Sequence, residues 1–311
     1  MHERAATSDA GAAAPPDGIE TFRAGARRHA EQAPRALDHL PRGTYERVPL
    51  PGDAPVRELM VYRPSGGPDR PGVFVNLHGG GFVLGDWEGD DPYCRHLADT
   101  AGCTVVNVDY LLAPEHPFPA AVHQVTDLLA WLGAGASVFG ADGTRLAVGG
   151  HSAGGNLAAA ACLLAARRGQ PGPRGLVVDY APLDLATAPA GKLAAGAAPE
   201  AVELAQIGAR FNAWYLPSPA AGADELASPV RARDLSVLPP TLVLTAEHDL
   251  LRADGDRFAD RLRAAGVDTE HAVHPGSGHA FTHVGPEDQA AAAWQRMADF
   301  LRRVLGGDPC A

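Results

Sequence analysis

No stretch of the 311 residues approaches the roughly 18 consecutive apolar residues that a membrane-spanning helix needs, so no span is expected. Cysteine is scarce. Cys94, Cys103, Cys162 and Cys310 are too few and too dispersed for a disulfide framework, and no CxxC pair offers a zinc site. They read as small buried hydrophobes or inert thiols. Basic residues are outnumbered, 26 Lys and Arg against 37 Asp and Glu, for a formal charge of −11. Nucleic-acid binding rests on a cationic surplus facing phosphates, and that surplus is missing. Met1 to Gly18 lacks the unbroken apolar stretch of a signal peptide, which makes a reducing cytoplasm the expected location. Glycine (36) and proline (27) are plentiful without a collagen-like period, so turns are many.

With 46% hydrophobic residues the chain can bury a sizeable core, and its length suits one large α/β domain. Residues 1–18 are small, polar and turn-forming, and are expected to be disordered. Glu20 to Leu40 is helix-prone and basic, with Pro34 interrupting it. Strands are expected over Arg57–Tyr62, Val73–Leu77, Thr104–Val108, Arg145–Val148, Leu176–Tyr180, Thr241–Thr245 and Thr269–Val273. Helices are expected over Asp91–Thr100, Pro119–Leu132, Ala153–Arg168, Arg252–Ala265 and Gln289–Leu305. Short apolar strands alternating with helices imply a mostly parallel sheet covered on both faces.

One stretch breaks that rhythm. Thr187 to Leu238 is far longer than a simple crossover and contains a helix-like segment followed by Phe211, Trp214 and Tyr215. Connections of that length are usually lids or insertions. The expected organisation is therefore an N-terminal cap segment (1–43), a catalytic core (44–186 and 239–311) and a cap or lid insertion (187–238). The insertion and N-terminal segment would cover the carboxyl ends of the strands, where open α/β sheets place ligands. Phe82, Phe211, Trp214 and Tyr215 are the candidate substrate-binding walls, though each aromatic could equally be core packing.

Two motifs carry chemistry. Gly150-His151-Ser152-Ala153-Gly154 follows an expected strand and precedes an expected helix, the context of a nucleophile elbow. So tight a turn needs tiny residues two before and two after the serine, so that neighbouring backbone can pass. The bland alternative is a glycine-rich turn with an incidental serine. The second motif, His78-Gly79-Gly80-Gly81-Phe82, also follows a buried strand. Its glycines leave backbone N–H groups bare, as an acyl-transfer enzyme needs to hold a tetrahedral oxyanion. Gly79 and Gly80, with Ala153 as third donor, are the candidates. Neither phosphate-loop pattern fits this stretch, which leaves a plain flexible turn as the competitor.

His78 and Ser152 stand 74 residues apart, and between them runs Val108-Asp109-Tyr110-Leu111-Leu112-Ala113-Pro114-Glu115-His116-Pro117-Phe118-Pro119-Ala120. Together with Gly155-Asn156, these segments resemble the hormone-sensitive-lipase family of α/β-hydrolases, particularly its bacterial carboxylesterases, over about residues 55 to 305. The resemblance implies an α/β-hydrolase fold with an eight-stranded, mostly parallel sheet, helices on both faces, a helical cap and a Ser-Asp-His triad. Two departures from the family pattern stand out, His151 where Asp is common before the serine and Leu111 where Arg is common, and Leu250 is a milder one where Pro is usual.

Triad members on this fold follow in the order Ser, acid, His. Asp249 matches the family's acid, with Glu247 a weaker competitor and Asp254 and Asp256 reading as first-turn helix charges. His279, in Gly276-Ser277-Gly278-His279-Ala280-Phe281, resembles the family's His-Gly-Phe. His271, His274 and His283 are the alternatives. A metal pair from His279 and His283 lacks a carboxylate partner or an HExxH frame, so no metal or other cofactor is expected.

The implied activity is a serine carboxylesterase acting on a small-molecule ester of short to medium chain, as a monomer or homodimer. The alternatives are a specialised deacylase, acyltransferase or dehydratase on a complex metabolite, or a binding protein that has lost catalysis. Fold alone does not decide among them.

Overall fold

The computed structural model describes residues 18–32, 35–37, 40, 45–50, 54–135, 140–194, 196–197 and 199–306. The expectation of disorder over residues 1–18 falls almost wholly outside the described residues, as do Pro34 and Cys310.

Eight strands form one sheet: β1 (Glu46–Pro49), β2 (Glu58–Tyr62), β3 (Gly72–Leu77), β4 (Thr104–Val108), β5 (Asp142–His151), β6 (Gly175–Asp179), β7 (Thr241–Ala246) and β8 (Thr269–His274). Their order is β1-β2-β4-β3-β5-β6-β7-β8. All pairings from β4 through β8 are parallel, while β2 is antiparallel to both β1 and β4. The helices among the described residues are α1 (Ile19–Gln32), α2 (Asp91–Ala101), α3 (Ala120–Gly135), α4 (Ala153–Arg167), α5 (Pro199–Tyr215), α6 (Arg252–Ala264), α7 (Phe281–Val284) and α8 (Glu287–Leu305).

Alternation along the buried strands divides the apolar residues between two cores. Val73, Val75 and Leu77 of β3 join Val122, Val125, Leu157, Leu163, Phe258 and Leu262 of α3, α4 and α6. Phe74 points the other way, into a cluster with Tyr93 and Leu97 of α2 and Trp294, Met297, Phe300 and Leu301 of α8. The segment before β1 reaches both sides, with Ile19 in the first core and Ala36 and Leu37 in the second. None of the described helices is long and apolar enough to cross a membrane.

The expected strands and long helices all occur, and the differences have physical causes. β5 extends to His151, three residues beyond its expected end at Val148. Gly149 and Gly150 lower strand propensity locally. They are needed there because a Cβ at either would collide with Val177 or with the Leu77 carbonyl. β1 is a four-residue strand with a mostly exposed pattern, so it carries no alternation signal. α7, at four residues, is too short to show a period.

Candidate active site

Ser152 stands between β5 and α4 with φ 51° and ψ −119°. Positive φ is costly for a residue with a Cβ, and it persists only where the surroundings hold it. Here they do so by close approach: Gly150 and Gly154 both lie against the Leu77 carbonyl oxygen, and a Cβ on either would collide with it. The Ser152 N–H donates to the Asp179 carbonyl at 2.8 Å, which pins the turn to the end of β6.

His279 lies between β8 and α7, and Asp249 lies between β7 and α6. Nδ1 of His279 is 2.8 Å from Oδ2 of Asp249. A carboxylate only accepts, so Nδ1 carries the hydrogen and Nε2 of the neutral ring faces Ser152 Oγ as acceptor, 3.2 Å away. Burial disfavours the charged imidazole, but the Asp249 charge and hydrogen bond outweigh it, so His279 titrates above the usual histidine range. The Asp249 side chain is 1% exposed and the His279 side chain 22%, an acid shielded from water behind a base that reaches the cleft.

The glycine loop after β3 passes directly beside the serine. A Cβ at Gly79 would touch Cβ of Ser152, at 3.6 Å. The N–H groups of Gly79, Gly80 and Ala153 make no main-chain hydrogen bond among the described residues. Gly80 has φ 118° and its carbonyl accepts from Val83 and Leu84, which folds the loop back on itself. His78 is buried under this loop, stacked on Tyr110 at 4.3 Å, with Nδ1 2.7 Å from the Gly79 carbonyl. Tyr110 in turn donates to the His78 carbonyl at 3.0 Å. The Asp109–Ala120 segment thus shapes the glycine loop from behind.

A cleft of ≈ 520 Å³, including open solvent at its mouth, has Ser152 and His279 in its wall. Phe82 and Phe211 line it, and Leu185, Leu204 and Lys192 of the 182–212 region form one side. Two of the four expected wall aromatics lie elsewhere. Tyr215 is stacked behind Phe82 at 3.8 Å, 1% exposed, and Trp214 packs against Phe22 of α1 at 5.1 Å. Arg23 of α1 donates to the Val83 and Ala113 carbonyls and pairs with both oxygens of Glu115, fastening the N-terminal helix to the glycine loop.

Sequence reasoning missed a buried cluster beneath the elbow. His151 Nε2 lies 2.7 Å from Asp90 Oδ2, and His283 Nε2 lies 3.0 Å from Asp90 Oδ1. Asp179, fully buried at the end of β6, has Oδ2 3.8 Å from His151 Nδ1. Burial opposes charge on His151, but Asp90 and Asp179 overcome it and raise the imidazole to about 10. Burial likewise opposes the Asp90 carboxylate, and His151 holds it well below its usual range. The visible signal was a carboxylate ending an otherwise apolar strand, Leu176-Val177-Val178-Asp179, facing a histidine where the family has an acid. Asp90, His151 and His283 bring potential ligand atoms within 4.8 Å of one another, but those atoms already face each other as hydrogen-bond partners. His279 is not in this group; it faces Ser152 and Asp249.

A strained serine, an imidazole backed by a carboxylate and bare main-chain donors on a parallel sheet define a hydrolase of the acyl-transfer type. The alpha/beta hydrolase fold family matches residues 74–283, and the chain belongs to it, in the hormone-sensitive-lipase-like group that its motifs resemble. It is 37% identical over 295 residues to carboxylesterase NlhH of Mycobacterium tuberculosis, covering 93% of this chain and 90% of that one. It is 37% identical over 234 residues to an ethyl acetate hydrolase of Pseudomonas putida, covering 73% and 72%. Among solved structures, a hyperthermophilic esterase from Pyrobaculum calidifontis superposes with a TM-score of 0.82 at 35% identity, covering 92% of this chain and 94% of that one.

Proposed function

We infer that this protein is a serine carboxylesterase hydrolysing short- to medium-chain esters through Ser152, His279 and Asp249. The observation that carries the reading is the line from Ser152 Oγ through the His279 ring to Asp249, with steps of 3.2 and 2.8 Å. His279 takes the serine proton as Oγ attacks the ester carbonyl, and Asp249 holds the ring in the tautomer that can accept it. The tetrahedral oxyanion forms against the N–H groups of Gly79, Gly80 and Ala153. His279 then protonates the departing alcohol, and water repeats the cycle on the acyl-enzyme.

The decisive test is intact-protein mass spectrometry after exposure to an organophosphonate. One covalent addition is expected, at Ser152, and none on Ser152→Ala. A folded wild-type protein that stays unmodified sinks the hydrolase reading and favours a binding role.

The N-terminal segment and the 187–238 insertion act as a cap in this reading. The contacts of Arg23 with the glycine-loop region, and the place of Leu204 and Phe211 in the cleft wall, support it. The enzyme works in the cytoplasm on small-molecule esters, as a monomer or homodimer. A closed apolar cleft stabilises each added methylene by up to about 0.8 kcal/mol until it is full, after which overpacking costs roughly 1 to 3 kcal/mol. Activity on p-nitrophenyl esters should therefore rise from acetate to butyrate or hexanoate and fall beyond about ten carbons. A profile still climbing at palmitate refutes the closed pocket and leaves the triad untouched.

A further inference from the structure

We propose that Lys192 makes the cleft selective for esters whose buried arm carries an oxygen acceptor, such as a hydroxyl, ketone or carboxylate, near its far end. The inference rests on the carboxylesterase reading and adds a substrate class to it. Lys192 is the only lysine of the 311-residue sequence. It ends the 3₁₀ turn Pro189–Lys192 and lines the same cleft as Ser152 and His279. Its neighbours along that wall are mostly apolar, among them Leu185, Leu204, Phe211 and Leu250.

An ammonium carries three donors, and this one is 7% exposed. Asp254 Oδ2 takes one at 2.6 Å, and among the described residues no other acceptor meets it. Asp254 is itself held from behind by the Asp184 N–H at 3.0 Å, and Asp184 is paired with Arg231 and Arg257. The cluster thus sets two carboxylates against Lys192 and two arginines, leaving one positive charge in excess. Asn212 also lines the cleft, and its side chain has no hydrogen-bond partner among the described residues. An alkyl arm that reaches Lys192 displaces water and leaves ammonium hydrogens without an acceptor, which is costly in a buried site. An arm ending in oxygen replaces that water. An ammonium donates to a neutral or an anionic oxygen, so the acceptor can be either.

The competing role for Lys192 is a clamp that merely ties the 189–192 turn to α6. The two roles separate in a ratio. Matched esters are compared at equal length from butanoate to octanoate: plain ethyl esters and their ω-hydroxy, ω-oxo and ω-carboxylate counterparts. A parallel series places the same groups on the alcohol of an acetate ester. Wild-type kcat/KM is expected to favour the oxygenated member at one length by on the order of tenfold or more. A preference shared by hydroxy and oxo esters marks a neutral acceptor as sufficient, and one confined to the carboxylate marks an anion.

In the double variant Lys192→Met, Asp254→Asn both charges leave together, so no lone buried ion remains, and the preference should vanish. Lys192→Arg should retain part of it. A double variant that slows plain and oxygenated esters alike, with the ratio unchanged, overturns the proposal in favour of the clamp. So does a wild-type ratio near one at every length in both series, a result that needs no variant to fold. Wild-type protein that hydrolyses no ester at all would instead overturn the carboxylesterase reading.

Discussion

Ser152→Ala and His279→Ala should each lower kcat on a reactive ester by on the order of 10⁴-fold or more, and the double variant should lose little beyond either. The reason is geometric. With Nε2 of His279 3.2 Å from Oγ, the two groups act as one unit, and removing either removes the activated nucleophile. Steady-state kinetics on a p-nitrophenyl ester reads this directly. The same chemistry fixes a pH dependence. As the proposed base, His279 acts in its neutral form and its pKa is raised, so kcat/KM should fall on acidification through a value above the ordinary histidine pKa of about 6.5. Asp249→Asn removes the charge that raises it, so the acid limb of the residual activity should move to lower pH. A limb that stays in place, or a fatal His283→Ala beside a mild His279→Ala, would show that the base is assigned wrongly.

The second large effect concerns folding. His151→Asp puts the residue type common in the family next to Asp90 and Asp179, three buried carboxylates with only the His283 imidazole left beside them. Breaking a buried ion pair from one side typically costs about 3–5 kcal/mol. In a chain of this size that corresponds to a fall in Tm of about 5–8 °C. Adding Asp90→His to His151→Asp restores opposite charges and should recover much of the loss in a thermal melt. Non-recovery would mean that shape at the elbow, and not charge, makes His151 necessary. The pH window carries a definite sign. With the folded imidazole raised to about 10, the contribution of His151 is complete below about pH 6.5 and is lost as pH climbs through about 10. The Asp90 contribution runs the opposite way: it is present above the ordinary carboxylate pKa and disappears only in acid, because its folded pKa is depressed. His151→Gln should therefore flatten the alkaline decline in Tm.

The elements easiest to read from sequence were those with long, one-sided burial. β3, β4 and β7 are mostly apolar and buried along their whole length, and α8 places Trp294, Met297, Leu301 and Val304 on one buried face. The elbow and the glycine loop were legible because their glycines answer backbone collisions, a constraint that local sequence records. β1 and α7 were not, since four residues hold neither period. Among candidate site residues, Ser152 and the glycine-loop donors are legible from the residues themselves, whereas Asp249 and His279 stand out from their competitors only through the family resemblance. The Asp90–His151–Asp179 cluster stayed hidden for a different reason. Its members sit 61 and 28 residues apart in the chain and meet only because α2 and β6 converge under the elbow. Pairing across such distances leaves no spacing to read.

The close fit of Gly150 and Gly154 against the Leu77 carbonyl has a consequence for how this enzyme can be altered. It fuses the serine turn and the end of β3 into a single backbone block, in which the distance from Ser152 to the proposed oxyanion donors of the glycine loop admits no gradual adjustment. Any side chain added there displaces the whole block. Variation that changes what the enzyme accepts should therefore be sought in the cleft walls, around Leu204, Phe211 and the Arg23 attachment, where side chains and not packed backbone form the lining. A mutant library confined to those positions should yield many folded proteins of altered preference. The same library placed on residues 150–155 should yield mostly inactive ones.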